Sequence, residues 1–272
     1  MPVTTADKRA AFKKLHDSGC FIIPNPFDVG SALALQHLGF KALASTSAGF
    51  AWTIGKPDNR VTIDDVCNHL TAVCAAADIP VNADYEDGFA VEPEKVAVNV
   101  ARGVKTGVAG LSIEDFTGDA ANPLFEHKLA VERIKAARKA IDADNSGVLL
   151  TGRCEAFLRG VKDLKLVIER LQAYSDAGAD VLYAPGISTS EEISAIVKAV
   201  APKPVNLLIG GASDLSLQRV AELGVRRISV GGALARMAWT GFMAAAKEMA
   251  EKGTFTEFAN GYPGGELNKM FK

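Results

Sequence analysis

Short apolar runs alternate with amphipathic stretches along most of the chain. Each run is nearly all apolar and rich in β-branched residues, as expected of strands buried in a parallel sheet. The runs lie at Phe21–Pro24, Ala42–Ser45, Val81–Asp84, Gly110–Glu114, Val148–Arg153, Val181–Ala184, Val205–Leu208 and Arg227–Val230. Their alternation with helical patterns predicts eight βα units.

The stretches between these runs have the periodicity of helices. After an N-terminal helix that ends near Gly19, helices are expected at Asp64–Ala77, Glu94–Thr106, Val131–Asp142, Leu164–Ala177, Glu191–Val200 and Leu215–Leu223. Glycine follows helix ends in HLGF, KTGV, DAGAD and ELGVR, where it can supply the left-handed residue that terminates a helix.

Eight βα units predict a fold of the α/β class, a single (β/α)₈ TIM-type barrel with an extra N-terminal helix, spanning residues 1–272 as one domain. An open doubly wound sheet is the alternative. That fold usually carries a glycine-rich phosphate-binding turn after its first strand, and the segment PNPFDVGSA has no such turn. The barrel is therefore favoured.

The C-terminal region begins with a long helical pattern, Ala233–Lys252, followed by Phe255–Lys272. The helix is rich in Ala and Met and contains Trp239 and Phe242. So much apolar surface on a terminal helix predicts packing against a partner subunit, although the helix could instead close its own barrel.

Composition excludes several classes of partner. The 272 residues include 30 basic and 32 acidic side chains spread evenly, which leaves no basic face for nucleic acid or anionic lipid. No apolar run is long enough to span a membrane, and the N-terminus lacks the apolar core of a signal peptide, so the cytoplasm is the expected location.

The four cysteines lack the spacing of a zinc site or a disulfide framework. Cys67 and Cys74 lie on one predicted helix and are expected to face the core.

Acidic side chains collect where predicted strands end. The third strand ends in Asp84-Tyr85-Glu86-Asp87-Gly88 and the fourth in Glu114-Asp115. In a (β/α)₈ barrel the carboxyl ends of the strands form the functional rim, so these carboxylates should converge there. Clustered carboxylates repel one another unless a cation or protons neutralise them, and Mg²⁺ prefers such oxygen ligands. A metal site is the favoured interpretation; alternatively, Glu114 and Asp115 cap a helix or pair with lysines.

Arg153 ends the fifth strand, in the sequence Arg153-Cys154-Glu155. Its planar guanidinium could bind a substrate carboxylate or phosphonyl group beside the metal. The alternative is a salt bridge to Glu155 or Glu114, and one arginine could serve both purposes.

Several stretches resemble the isocitrate lyase and phosphoenolpyruvate mutase superfamily between about Phe21 and Gly253. The matching segments are PNPFDVGSA, ASTSAGFAWTIGKPDNR, PVNADYEDGFA, GVAGLSIEDF, GRCEAF and RRISVGGALAR. The acidic motif, the IED turn and the arginine after the fifth strand occur in the order and at the spacing typical of that family.

The resemblance implies a role for each matching residue. Asp84 would be the direct ligand of Mg²⁺, or of Mn²⁺ as the alternative ion, with Asp58, Glu86 and Glu114 binding it through waters. The substrate would contact Ser45, Thr46, Ser47, Asp84, Asn122 and the far-end residue Arg153. Asp58, Glu114, Arg153 and His127 are the predicted catalytic residues. For Asn122 and His127 the prediction comes from their place in the loop after the fourth strand, as orienting group and as acid or base; the alternative is that His127 is a solvated surface residue.

The resemblance also implies chemistry through an enolate of pyruvate as a C–C or P–C bond is cleaved. The Lys-Lys/Arg-Cys-Gly-His loop of the lyases that act on isocitrate or methylisocitrate does not occur here, so isocitrate lyase activity is not expected. In the mutase, the loop after the IED turn carries a Lys and an Asn-Ser pair for phosphonyl transfer; the corresponding stretch here, FTGDAANPLFEHKLA, is shorter and differs in its residues.

The first hypothesis is a Mg²⁺-dependent C–C lyase, carboligase or hydrolase for a small 2-oxo or 2-hydroxy dicarboxylic acid. The alternatives are phosphonate chemistry, as a mutase or phosphonopyruvate hydrolase, and an idle barrel serving as an oligomeric scaffold or ligand sensor. The resemblance further implies a homotetramer built from dimers that exchange the last helix. We also expect Phe116–Lys128 to form a mobile lid over the substrate, with a fixed loop as the alternative.

Overall fold

Eight parallel strands form the centre of the computed structural model, which describes residues 3–271. The strands are β1 Phe21–Ile23, β2 Leu43–Ala44, β3 Val81–Asp84, β4 Gly110–Glu114, β5 Leu149–Arg153, β6 Val181–Tyr183, β7 Val205–Leu208 and β8 Arg227–Ser229. Each lies within the corresponding predicted run. The apolar runs therefore identified every strand.

Helices surround the strands in the order expected of βα units. They are α1 Thr5–Leu15, α2 Val29–His37, α3 Ser47–Thr53, α4 Ile63–Ala76, α5 Pro93–Lys105, α6 His127–Ala143, α7 Leu164–Asp176, α8 Ser190–Val200, α9 Leu217–Glu222, α10 Ala233–Lys252 and α11 Gly264–Met270, with a 3₁₀ helix at Thr256–Asn260 before α11. Bounds for α2, α3 and α11 were not predicted, although the glycine in HLGF indicated the end of α2.

The sheet curls into a nearly closed barrel. The strands pair in the order β1-β8-β7-β6-β5-β4-β3-β2, and every pairing is parallel. Between the two outer strands of that order, the amide of Ala44 donates to the carbonyl of Pro24 at 3.0 Å. The architecture is the predicted (β/α)₈ barrel, and the carboxyl ends of all eight strands lie at one end of it.

The N-terminal helix α1 covers the opposite end, where the strands begin. Phe12 is fully buried and packs with Ile23 and Leu149. The ammonium of Lys8 donates to the carbonyl of Cys74 at 2.8 Å, which ties α1 to α4. The chain therefore seals the bottom of the barrel and leaves the rim formed by the strand ends for function.

The segment after β4 differs from the prediction at its end. The helix α6 begins at His127, four residues before the predicted start at Val131, because the carboxylate of Glu126 caps it by accepting from the amide of Leu129 at 3.0 Å. The last two residues of the expected lid, His127 and Lys128, are therefore helical. The preceding stretch forms a small turn in which Phe116 and Leu124 make an isolated antiparallel bridge.

The four cysteines are free thiols, two of them buried. Cys74 is buried in the core, and Cys67 is half-buried, with its sulfur 3.5 Å from the hydroxyl of Tyr85. Among residues 3–271, no helix combines the length and the apolar character needed to cross a bilayer.

Candidate active site

A cavity of about 400 Å³ opens at the rim formed by the carboxyl ends of the strands. Six of the residues singled out from the sequence line it: Ser45, Thr46, Ser47, Asp58, Asp84 and Arg153. They come from distant parts of the chain, and the parallel strands bring them together because each lies at or just beyond a strand end, except Asp58, which follows α3. The location agrees with the rule that barrel enzymes work at this face.

The carboxylate of Asp84 is held in a fixed orientation at the end of β3. One oxygen accepts from both the amide and the hydroxyl of Ser47, at 3.0 and 2.9 Å. The other accepts from Nη1 of Arg153 at 3.1 Å. The amide of Asp84 donates to the hydroxyl of Ser45 at 2.8 Å. The two serines thus position the predicted metal ligand, an arrangement that the sequence did not indicate.

Thr46, between the two serines, has a structural contact. It precedes α3, and its hydroxyl accepts from the amide of Gly49 at 3.3 Å as the helix cap. Capping by a threonine is a standard way to begin a helix. Here it fixes the start of α3 beside the serine that contacts Asp84.

Arg153 lies among three carboxylates. Its Nη1 is 3.1 Å from an oxygen of Asp84 and 3.2 Å from one of Glu114, and its Nε donates to Glu155 at 2.6 Å. Burial alone would lower the pKa of Arg153, but these carboxylates outweigh burial and hold that pKa well above its usual value. The alternative of salt bridges to Glu155 and Glu114 is therefore observed, and the arginine still lines the cavity.

The acidic groups carry more negative charge than the local cation can balance. Burial raises the pKa of Glu86 to about 8, and the neighbouring Asp84 adds to that shift. Burial followed by repulsion from Asp84 raises the pKa of Asp58. Burial also raises the pKa of Glu114 well above its usual range, against the opposing effect of Arg153. Such a cluster requires either protons or a further cation.

The oxygen donors fit a divalent cation that keeps part of its water shell. Glu86 is 9% exposed, and its buried Oε1 has no hydrogen-bond partner among the described residues. Between residues 3 and 271, no three His, Cys, Asp or Glu side chains are placed to hold one ion directly. A hard cation such as Mg²⁺ commonly binds one or two carboxylates and retains several waters, which agrees with both observations.

Adjacent residues at the end of β4 face different environments. Glu114 contacts Arg153, whereas the buried Asp115 accepts from the amide of Glu155 at 2.8 Å and from Nη1 of Arg170 at 3.0 Å. Asp115 therefore caps no helix and pairs with no lysine, and it supports the site from behind. The hydroxyl of Tyr174 also donates to it at 2.6 Å.

The two loop residues predicted to act on the substrate lie outside the cavity lining. The amide nitrogen of Asn122 donates to the carboxylate of Asp119 at 3.2 Å within the exposed turn after β4. His127 is the exposed first residue of α6. The structure brings neither of them to Asp84 and Arg153.

Several cavity residues were missed by the reasoning from sequence. Arg227 begins β8, is 3% exposed, and donates from Nε to Asn206 at 2.9 Å and from Nη2 to Thr151 at 3.0 Å. Tyr183 ends β6, with its ring centroid 5.1 Å from the guanidinium carbon of Arg153. Arg236 lies in the first turn of α10. Polar residues inside otherwise apolar strands were the available signal for Arg227 and Asn206.

Comparison with known proteins identifies relatives of this chain. The family model described as phosphoenolpyruvate phosphomutase matches residues 12–250. A solved structure from Burkholderia cenocepacia J2315, described as a putative lyase/mutase, is 47% identical and has a TM-score of 0.94; the match covers 98% of this chain and 97% of that one. The oxaloacetate decarboxylase of Pseudomonas putida is 30% identical over 84% of this chain and 79% of its own length.

Two further solved structures are of oxaloacetate acetylhydrolase. One contains the product oxalate and the other the inhibitor 3,3-difluorooxaloacetate. Both are 26% identical to this chain, with TM-scores of 0.86 and 0.85, and the matches cover 99% of this chain and 94% of theirs. Since the family model spans most of the chain and these relatives align along nearly all of it, the chain belongs to the isocitrate lyase and phosphoenolpyruvate mutase superfamily.

Proposed function

We propose that this protein is a Mg²⁺-dependent lyase that breaks or forms a C–C bond in a small 2-oxo or 2-hydroxy dicarboxylic acid. The observation that carries the proposal is the placement of Asp84 against Arg153 on the wall of one cavity, with Asp58 lining the same cavity. Oxaloacetate decarboxylase and oxaloacetate acetylhydrolase, which the chain resembles, are named for a substrate of this class.

Four acidic residues would bind the cation, one directly and three through water. Asp84, oriented by Ser47, would be the direct ligand of the cation, and Asp58, Glu86 and Glu114 would hold its waters. Mn²⁺ would be an alternative ion. When bound, the cation would supply Lewis-acid stabilisation of the negative charge that develops on the 2-oxo oxygen.

Arg153 has two tasks in this proposal. Its ion pairs with Glu114 and Glu155 offset part of the cost of burying those carboxyl groups, and its guanidinium on the cavity wall would contact the substrate. We propose catalytic roles for Asp58, Glu114 and Arg153. A role for Asn122 or His127 would require the turn after β4 to move toward the cavity, as in the lid expected at 116–128.

The experiment is a steady-state assay with oxaloacetate and phosphonopyruvate at saturating Mg²⁺, comparing the wild type with Asp84→Asn. Loss of a direct ligand should lower kcat/KM by about a thousandfold or more, because charge stabilisation of several kcal/mol is removed. The control is Asp142→Asn, which removes an exposed carboxylate on α6 and should leave turnover unchanged. Equal turnover with Mg²⁺ and with excess EDTA would contradict the proposal.

Phosphonate chemistry is the second candidate, because the matching family model is that of phosphoenolpyruvate phosphomutase. The same assay separates the two candidates: turnover of phosphonopyruvate without turnover of oxaloacetate would favour breaking a P–C bond. If neither compound is turned over, the result would favour the third hypothesis, a catalytically idle scaffold or ligand sensor.

We also propose a homotetramer, a dimer of dimers that exchange α10. Although α10 is 20 residues long, only Ala235 and Glu248 in it are buried. Met237, Trp239 and Phe242 are 67%, 40% and 61% exposed, which is unusual for large apolar side chains on one helix. Light scattering at micromolar concentration should give four times the chain mass; a monomer mass would contradict helix exchange.

A further inference from the structure

Three arginines line the cavity within the described part of the chain: Arg153, Arg227 and Arg236. Their surroundings differ. Arg153 already uses Nε and Nη1 in ion pairs with Asp84, Glu114 and Glu155. Much of its charge therefore balances nearby carboxylates, so a substrate with two anionic groups would need a further cation besides Arg153.

Arg227 lies among neutral partners. Besides Asn206 and Thr151, its Nη1 is 3.4 Å from the amide oxygen of Asn82. Burial lowers the pKa of Arg227 to about 10, so it stays charged at neutral pH. These hydrogen bonds fix its guanidinium inside the barrel, where it makes the local potential more positive but has little freedom to form new contacts.

Arg236 has the most freedom of the three. It is exposed, and its Nη2 donates to the carbonyl of Gly210 in the segment after β7. No carboxylate between residues 3 and 271 lies within ion-pair distance of it, so the protein does not neutralise its charge there. Arg236 therefore lines the same cavity as the oppositely charged Asp58 and Asp84; the arginine comes from α10, whereas Asp84 ends β3.

We infer that Arg236 binds the second carboxylate of the substrate, the one remote from the metal ligands, and so selects longer dicarboxylic acids over compounds that end near the metal. The inference rests on the proposed function and extends it to a specificity-determining residue. Arginine suits the task because its fork can donate two parallel hydrogen bonds to a carboxylate. The contact with Gly210 leaves other N–H groups of the guanidinium available.

The test compares two ligands that differ in length, oxalate with two carbons and 3,3-difluorooxaloacetate with four. Their affinities would be measured by isothermal titration calorimetry with saturating Mg²⁺, for the wild type, Arg236→Gln and Arg236→Lys. The matched control is Arg219→Gln, which removes an exposed arginine on α9 that pairs with Glu222. Melting temperatures of all variants would show whether the link between α10 and Gly210 is needed for folding.

We expect Arg236→Gln to weaken the affinity for 3,3-difluorooxaloacetate by at least about tenfold and to change the affinity for oxalate by less than about twofold, because only the longer ligand reaches the lost charge. The affinity of Arg236→Lys for 3,3-difluorooxaloacetate should lie between those of the wild type and Arg236→Gln. Arg219→Gln should bind both ligands as the wild type does.

Two outcomes overturn the inference. An equal loss for both ligands would mean that Arg236 acts only through the structure, and an unchanged affinity for the longer ligand would mean that the arginine does not contact it. In either case, binding of oxalate by the wild type in the presence of Mg²⁺ would still support the proposed function. If the wild type binds neither ligand, the proposed function fails, and the inference fails with it.

Discussion

Replacing Arg153 by glutamine should strongly destabilise the protein. The substitution removes the cation that is paired with Asp84, Glu114 and Glu155. Glu114 and Glu155 are 5% and 0% exposed, so water cannot replace the lost contacts. Breaking a buried ion pair by removing one partner costs about 3–5 kcal/mol. Since Arg159 still contacts Glu155 at 3.0 Å, we expect about 3 kcal/mol, the lower end of that range.

The loss should depend on pH in a defined direction. Without Arg153, burial raises the folded-state pKa of Glu114 even further above its unfolded value. The folded protein then binds a proton more tightly than the unfolded chain, so stability is gained as pH falls and lost as pH rises. Arg153→Gln should therefore recover part of its lost stability between pH 8 and pH 5.5.

The assay is urea denaturation followed by circular dichroism, in EDTA and at equal protein concentration, because the proposed tetramer would couple unfolding to dissociation of subunits. The matched control is Arg102→Gln, which breaks an ion pair with Asp64 on the surface and should cost no more than about 1 kcal/mol. If Arg153→Gln costs as little as this control, or if its cost is the same at both pH values, the cluster does not depend on the arginine as argued.

Two further predictions concern the groups around this cluster. Because burial raises the pKa of Glu86 to about 8, a proton on this carboxylate should compete with Mg²⁺, and the affinity for Mg²⁺ should rise between pH 6.5 and 9. The affinity would be measured by calorimetry across this range. A pH dependence no steeper in the wild type than in Glu86→Gln would contradict the prediction. Tyr174→Phe removes the hydroxyl that donates to Asp115, and in urea denaturation it should cost about 1–2 kcal/mol, whereas Tyr262→Phe, at an exposed tyrosine, should cost less than about 0.5 kcal/mol; equal costs would refute a supporting role for Tyr174.

The barrel could be predicted from sequence because its signal is local and repeated. Every strand was found, and β3, β4 and β7 were found with their ends, since a buried parallel strand is a short apolar run followed by polar residues. The start of α6 was placed too late because its cap is a carboxylate, Glu126, which lies in a stretch without clear periodicity. Short α3 depends on the cap by Thr46 and on the packing of Phe50, which periodicity does not reveal.

The candidate site was predictable only in part. Strand-end positions identified Asp84 and Arg153, because barrel geometry alone brings such residues together. The direction of a side chain could not be predicted for neighbours such as Glu114 and Asp115, which face different partners. The partner of Asp115 is Arg170, 55 residues away on α7, and no local pattern links the two.

The polar interior of the barrel bears on how the site selects its ligand. Apolar branched residues usually fill this space, whereas here Arg227 is buried with Asn206 and Thr151 and has only neutral partners. Burying a charged group without a counter-ion carries a cost in stability. That cost would be offset if the charge serves the cavity, because a fixed cation inside the barrel favours anionic ligands and moderates repulsion among the carboxylates at the rim. The acids would then hold a cation, while Arg227 of β8 and Arg236 of α10, which line the same cavity, favour a negatively charged substrate.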